Sequence, residues 1–432
     1  MKVSRSDHKK VSKSRKCIAL GCVLLLLSLM TIGMSACGSK EASSAQSSET
    51  LTVGIWDTAQ EPGLKEIMAD FTEETGVKVK IEVTPWEQYW TMLEAAATGG
   101  DLPDVFWMHA NEVQKYAESG MLADVSEQLE TLGAENFPEG LTELYTNSDG
   151  ASIGIPKDVD TVALWYNKTL FDEAGIAYPD ESWTWETFRE NAEKLTNQDA
   201  GRYGCYFRAD SGQETYFNVI YDYGGYVINE DRTKSGYDNA NTIEAMTYVE
   251  SLKAFMPPYE MMADNSNEAL FNSGKVAMGL FGSWMTRGLL ENEYVAENCE
   301  IAVLPMYEDT RKSIYNGLAW SVSANSANQE NAKELVAYLG SQEAQEKQAD
   351  LGVTMSAYQD TSEGFVNLAP EKNLQAYIDM MEDEVMLPYS KNATVWLNYT
   401  AEELSKQYAG EQTMADALHN ITVFMNQALS EE

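Results

Sequence analysis

Cysteine, histidine and basic side chains are all scarce in this chain of 432 residues. It has five cysteines and three histidines, His8, His109 and His419, and no ligand spacing among them. That argues against a metal site, which needs Cys, His or carboxylate ligands at set intervals. Thirty Lys and Arg face 68 Asp and Glu, for a net charge of −38. Such an excess repels nucleic acid and anionic membrane surfaces. No G-x-x-x-x-G-K-[ST] loop occurs, so this chain is not expected to hydrolyse ATP itself. No G-x-S-x-G elbow occurs either. No cofactor is implied. No repeat of fixed period is present, and beyond residue 36 no apolar run is long enough to span a membrane.

What the amino terminus does contain is an address. Lys2, Arg5, Lys9, Lys10, Lys13, Arg15 and Lys16 precede an apolar run from Ile18 to Ile32, followed by Met34-Ser-Ala-Cys37-Gly38. A charged region, an apolar region and a small-residue exit make a secretory signal over residues 1–36. The run is shorter than the ~20 residues a spanning helix needs. The ending resembles a bacterial lipobox, with Met34 where leucine is usual. That resemblance implies that Cys37 becomes the first mature residue and carries a lipid. Residues 37–50 are small and polar and read as a flexible tether. Of the remaining 396 residues, 23 are basic and 67 acidic, and the length suits two domains. Cys17 and Cys22 leave with the signal. Cys205 and Cys299 could pair in an oxidising compartment, but two buried free thiols is the preferred reading.

The chain then alternates. Leu51 to Ile55 reads as a strand ending in Trp56-Asp57. Residues 62–75 form a helix with Leu64, Ile67, Met68 and Phe71 on one face, closed by Gly76. Val77 to Val83 is a strand, residues 85–97 a helix, Pro103 to Met108 a strand, and residues 112–119 a helix. This order predicts a mostly parallel, doubly wound α/β sheet. Ligands of such sheets sit at the carboxyl ends of the strands. Further on, Thr184 suits a helix N-cap. Val276 to Leu280, Ile301 to Met306 and the segment from Asn316 read as strands, residues 327–340 as a helix, and the remainder as mainly helical.

Three stretches carry a family likeness. Phe271-Asn-Ser-Gly-Lys-Val-Ala-Met-Gly-Leu-Phe-Gly-Ser-Trp284 resembles the F-x-x-G-x-x-A-M-x-x-x-G-x-W pattern of family 1 extracellular solute-binding proteins, the sugar-binding group that includes maltose-binding protein. Pro156-Lys-Asp158-Val-Asp160, running on to Trp165-Tyr-Asn-Lys-Thr-Leu-Phe171, resembles that family's lobe-crossing segment. Trp183-Thr-Trp-Glu-Thr-Phe188 resembles a third element. They occur in the family's order over nearly the whole mature chain. The resemblance implies a two-lobed periplasmic-binding-protein-like fold, each lobe a mostly parallel sheet flanked by helices, with a ligand cleft at the hinge. Lobe 1 would be residues 51–157 and 305–350, and lobe 2 residues 158–304 and 351–432. It implies a non-enzymatic receptor, lipid-anchored at the outer face of the cell membrane. The receptor would capture a carbohydrate, favouring an oligosaccharide, for the membrane permease subunits of an ABC importer.

Sugars present C–H faces and hydroxyl edges, so their sites need flat rings beside carboxylates and amides. Strand ends, Trp–acid pairs and the motifs nominate Trp56, Asp57, Glu87, Asp104, His109, Asp158, Tyr223, Trp284 and Trp320 as ligand contacts. Of Asp158 and Asp160, one is expected to face the cleft and the other to bond hinge backbone. Trp165 and Trp185 are expected in the core. Two rivals stay open: a secreted glycoside hydrolase, which needs two carboxylates at a set separation, and a receptor of the same fold for a non-sugar ligand.

Overall fold

The computed structural model describes residues 50–99, 102–210 and 212–432. The expected signal, the lipidated Cys37 and the tether up to residue 49 lie outside the described residues. In chain order the strands are β1 (Thr50–Ile55), β2 (Lys78–Val83), β3 (Val105–Met108), β4 (Ile155–Pro156), β5 (Val162–Asn167), β6 (Tyr203–Tyr206), β7 (Val276–Gly282), β8 (Cys299–Ala302), β9 (Ser313–Tyr315), β10 (Ala319–Val322) and β11 (Glu384–Met386).

The first βαβ units form as the periodicity predicts. Helix α1 (Glu61–Thr75) buries Leu64, Ile67, Met68 and Phe71 and ends at Gly76, whose φ of +78° is the left-handed turn that glycine adopts without penalty. β2 pairs only with β1 and exposes Lys78 and Lys80, charges that keep an edge strand from pairing further. β3 is buried along its length (Val105, Phe106, Trp107, Met108) because the sheet is covered on both faces. Helices α2 (Trp86–Gly99) and α3 (Ala110–Ala117) follow β2 and β3.

Two main sheets result. One has the order β2-β1-β3-β10-β4, the other β6-β7-β5-β8. Each contains a single strand that runs against its neighbours: β10 is antiparallel to β3 and β4, and β5 is antiparallel to β7 and β8. In each sheet this is the strand that follows a crossing, β5 coming after β4 of the first sheet and β10 after β8 of the second by way of β9. β4 leads through Lys157–Thr161 into β5, and β9 leads through Asn316–Leu318 into β10. A chain leaving one sheet at its carboxyl edge enters the next at the facing edge and must run opposite to the strands there. The direction of β5 and β10 therefore follows from the crossing. A small parallel pair, β9 with β11, lies beside the second crossing; the sequence reading did not foresee it.

Other local expectations are met. Thr184 caps its helix by accepting from the Thr187 N–H at 3.1 Å. Trp165 and Trp185 are fully buried, their indole N–H groups donating to Tyr377 (2.7 Å) and to Asp222 (2.6 Å). Cys205 and Cys299 are buried and free. They stand on β6 and β8, the two edges of a four-stranded sheet, so about 14 Å of strand spacing separates them, too far for a disulfide.

The crossings are tied by a buried ion pair. Lys157 is inaccessible to solvent. Its Nζ donates to Asp158 Oδ2 at 2.6 Å and to Gln60 Oε1 at 2.9 Å, and it lies 4.7 Å from the Trp107 ring centre. Asp158 Oδ1 accepts from the Leu318 N–H at 2.6 Å, linking the first crossing to the second. Asp158→Ala leaves Lys157 buried without its counter-charge and orphans that N–H, so a loss of about 3–5 kcal/mol is expected in urea denaturation. Lys80→Ala, which breaks an exposed pair with Glu82, should cost under about 1 kcal/mol.

Candidate functional site

The carboxyl ends of both sheets open on one cavity of about 750 Å³, within the range of small-molecule sites. From the first sheet come Trp56 and Asp57 after β1, Trp86 after β2 and His109 after β3. From the second come Trp284 after β7 and Arg208, Gln213 and Glu214 after β6. The crossings add Asp158 and Asp160 on one side and Asn316 and Leu318 on the other. Ser266, Glu268 and Asn272, around the helix Asn267–Asn272, close the rim.

The rings are held by other rings. Trp56 meets Trp86, Tyr89 and Trp107 edge to face, with centres 4.8–5.0 Å apart, and Trp86 meets His109 at 5.3 Å. Trp86 is 42% exposed, the most accessible tryptophan of the cluster. On the opposite wall the Trp284 ring folds back over Gly282: a Cβ there would stand 1.9 Å from a ring carbon, so only glycine leaves it that seat.

Each carboxylate has a different task. Asp57 accepts from the Ala59 N–H (2.7 Å) and from Gln60 Nε2 (3.1 Å), which fixes it at the start of α1. Asp158 spends both oxygens on Lys157 and Leu318, so of the two crossing acids it is the one that bonds the hinge. Asp160 accepts from Gln213 Nε2 at 2.5 Å. Burial and the neighbouring Asp158 charge raise its carboxyl well above the usual carboxylate range, against the hydrogen bonds from Gln213 and the Asn316 backbone. Asp160 can therefore keep a proton and donate as well as accept.

His109 caps α3. Its Nδ1 accepts from the Asn111 N–H at 3.1 Å, so the neutral ring carries its proton on Nε2, and the Asn316 side-chain amide beside it, at 3.2 Å, meets that proton only with its oxygen turned toward the ring. Burial lowers its pKa from 6.5 to about 4. The folded protein thus holds the neutral ring while the unfolded chain takes up a proton below pH ~6.5. This stability is complete above that pH and is lost as pH falls toward 4, by at most roughly 3 kcal/mol, since the ring is still partly exposed. His109→Asn keeps an acceptor for the cap without the titration. Its urea midpoint should fall less between about pH 7 and pH 4.5 than that of the unaltered protein.

Five of the nine nominated contacts are brought together: Trp56, Asp57, His109, Asp158 and Trp284 line the cavity. Four are elsewhere. Glu87 is exposed on the first turn of α2, where a carboxylate suits the positive helix end; the cavity takes its neighbour Trp86 instead. Asp104 precedes β3, at the far end of the strand from the cavity. It accepts from Thr52 N (2.8 Å) and Oγ1 (2.9 Å) and from Ser326 Oγ (2.6 Å). Tyr223 stacks on Tyr307, centres 3.8 Å apart. Trp320 is 1% exposed and packs on Trp107 in the middle of the first sheet. Sequence reasoning missed Gln60, Arg208, Gln213, Glu214 and Asn316. Arg208, Gln213 and Glu214 follow the end of β6, and the strand-end rule could have found them.

Comparison with known proteins agrees with this architecture. Residues 56–346 match the family model of bacterial extracellular solute-binding proteins. A galactooligosaccharide-binding protein of Bacillus subtilis is 27% identical over 342 residues, covering 74% of this chain and 76% of the relative. A maltodextrin-binding protein of the same organism is 26% identical over 373 residues, 82% of each chain. Among solved structures, an ABC substrate-binding protein of Listeria monocytogenes in complex with cycloalternan superposes with a TM-score of 0.81 at 24% identity, over 88% of this chain and 99% of that one. The two-lobed fold is shared with that structure, and this chain belongs to the bacterial extracellular solute-binding protein family.

Proposed function

We propose that the protein captures a carbohydrate, favouring an oligosaccharide, outside the cell and delivers it to the membrane permease subunits of an ABC importer. The observation that carries this reading is the cavity wall. Tryptophans from opposite sheets, Trp56 and Trp86 against Trp284, alternate with Asp57, Asp160, Gln213, Asn272 and Asn316. Rings suit sugar faces, and carboxylates and amides suit hydroxyl edges. The relatives whose names specify galactooligosaccharide and maltodextrin support the same class. The ligand contacts in this reading are Trp56, Asp57, Trp86, His109, Asp160 and Trp284, with Asp158 holding the hinge beneath them.

The working cycle follows from the two lobes, here taken as residues 51–157 with 305–350 and residues 158–304 with 351–432. A ligand that bonds both lobes stabilises the closed arrangement by its differential affinity, and the closed form is what a permease reads. The protein binds without chemistry. The acceptor nitrogen of His109, Nδ1, is taken by the Asn111 N–H, so that ring serves as a helix cap rather than a base for a nucleophile. Residues 1–36 act as a secretory signal, Cys37 carries lipid, and the tether up to residue 50 holds the receptor at the outer face of the membrane. None of the described helices is long and apolar enough to cross a membrane.

A thermal-shift series against mono- and oligosaccharides, with amino acids, peptides and polyamines as controls, tests the reading. A ligand at a hundred times its Kd adds about 2.7 kcal/mol. A shift with one sugar class, lost in Trp284→Ala and weakened in Gly282→Ala, is the expected result. A shift with a non-sugar alone, or release of reducing sugar from an oligosaccharide, would overturn it.

A further inference from the structure

A second hollow, of about 700 Å³, shares none of the lining of the cleft. Both spaces adjoin the second crossing, from opposite faces of its chain. The Tyr315 hydroxyl, at the end of β9, lies against Gly140 in the wall of the hollow, while the next residue, Asn316, lines the cleft. Successive side chains of an extended chain point to opposite sides. Gly140 and Glu143 reach the hollow from the chain before the first crossing. Residues 228–232 and 385–389 reach it from the chain after that crossing.

The lining joins rings to carboxylates. Tyr221, Tyr226 and Tyr389 stand beside the apolar run of residues 385–388. Glu143 comes from one side, and Glu230 and Asp231 from the other. All three acids are exposed, and none pairs with a cation among the described residues. The hollow already holds one cation against a ring. Arg232 Cζ lies 4.0 Å from the Tyr389 ring centre, and its Nη2 donates to the Tyr389 hydroxyl. Arg232 is exposed, and its φ of +55° is left-handed, a conformation that costs any residue with a side chain. Ring faces attract cations, and such strain gathers where a ligand is gripped.

We propose that this hollow is a second ligand site, for an organic diamine, in which a ligand ammonium takes the place of Arg232 on the Tyr389 ring. Glu143 on one side and Glu230 with Asp231 on the other meet the two charged ends. The apolar run between them meets the methylenes. Arg232 is then a stand-in cation that a ligand must displace. The site is separate from the cleft, and the inference does not rest on what the cleft binds.

Titration calorimetry on the full chain tests it, with putrescine and cadaverine as probes and butanediol as the uncharged analogue. The diamines should bind and butanediol should not. Glu143→Gln and Glu230→Gln combined should weaken the diamines roughly tenfold, since two exposed ion pairs are lost. Arg232→Gly keeps the left-handed turn, removes the competing cation and should tighten binding severalfold. An arginine that only props the hollow open predicts the reverse. All three residues are exposed, so the fold does not depend on them. Absence of diamine binding overturns the proposal, and so does weaker binding in Arg232→Gly. Binding that the paired glutamine substitutions leave unchanged marks diffuse attraction to an acidic surface and overturns it too. Loss of binding in Trp284→Ala would put the diamine in the cleft, with the same consequence.

Discussion

The buried pair of Lys157 and Asp158 holds the rest of the molecule in register. A lysine without solvent contact is stable only when its charge is met and its donors are filled. Here Asp158 and Gln60 fill them, and the Trp107 face covers the ammonium. Each partner belongs to a different part of the chain. Gln60 stands at the start of α1 and bonds Asp57. Asp158 bonds the backbone of the second crossing at Leu318. The Lys157 carbonyl accepts from Gln348, on the helix Gln342–Asp350. One cation thus joins the first strand end, both crossings and a late helix. Apolar packing of either sheet alone would leave the angle between the crossings undetermined.

With the crossings fixed, the directions of the strands decide where the cavity is. β5 and β10 enter their sheets from the cleft edge, and all other strands of the two main sheets point toward it. Every loop that leaves a strand at that edge reaches the same space. This is why residues as distant in sequence as Trp56 and Trp284 share a cavity. The lining is acidic: Asp57, Asp158, Asp160, Glu214 and Glu268 stand against Arg208. An anionic ligand would meet net repulsion there. The raised proton affinity of Asp160 blunts that field and leaves a donor in the wall, which suits a ligand that is neutral and rich in hydroxyls.

Much of this was legible in the sequence, for physical reasons. The apolar face of α1, the alternation of β2 and the glycine after α1 are local signals, and the structure follows them closely. The rule that ligands gather at carboxyl strand ends found Trp56, Asp57 and His109, because in a parallel sheet chain direction and position coincide. The same reading also placed Asp104 there and was mistaken: Asp104 stands at the amino end of β3, and its oxygens go to Thr52 and Ser326. Trp320 failed for another reason. A tryptophan in a strand has no sequence mark that tells a cleft ring from a core ring, and the neighbouring Trp107 decides the matter. The choice between Asp158 and Asp160 was equally out of reach. It depends on Lys157 turning inward to meet Gln60, a partner 97 positions away. Arg208, Gln213 and Glu214 carry no periodicity, and the placement of β6 brings them to the cavity.

The strand ends themselves needed reinforcement, and two buried tyrosines supply it. Where strands stop at a cleft, their last carbonyls lose ladder partners and would be left unpaired. The Tyr89 hydroxyl reaches the Trp107 carbonyl at 2.8 Å and the Gly54 carbonyl at 3.3 Å. The Tyr145 hydroxyl reaches Gly317 at 2.7 Å and Met108 at 2.9 Å. A hydroxyl has one proton, so each tyrosine bridges two carbonyls by sharing it. Tyr89 joins β1 to β3 directly beneath Trp56, and Tyr145 joins β3 to the second crossing directly beneath His109. Burial raises both phenols well above their ordinary pKa, so neither gives up the proton it shares. The rings that face the cavity therefore rest on a floor fixed before any ligand arrives. Less ordering remains to be done on binding, and affinity gained in that way does not depend on buried area. The wall formed by Arg208, Gln213 and Glu214 is braced by buried Asn218, whose amide donates to the Gln213 carbonyl at 2.6 Å and accepts from the Ile314 N–H at 2.9 Å. Both sides of the cavity are thus held from beneath, one by tyrosine hydroxyls and the other by an asparagine amide.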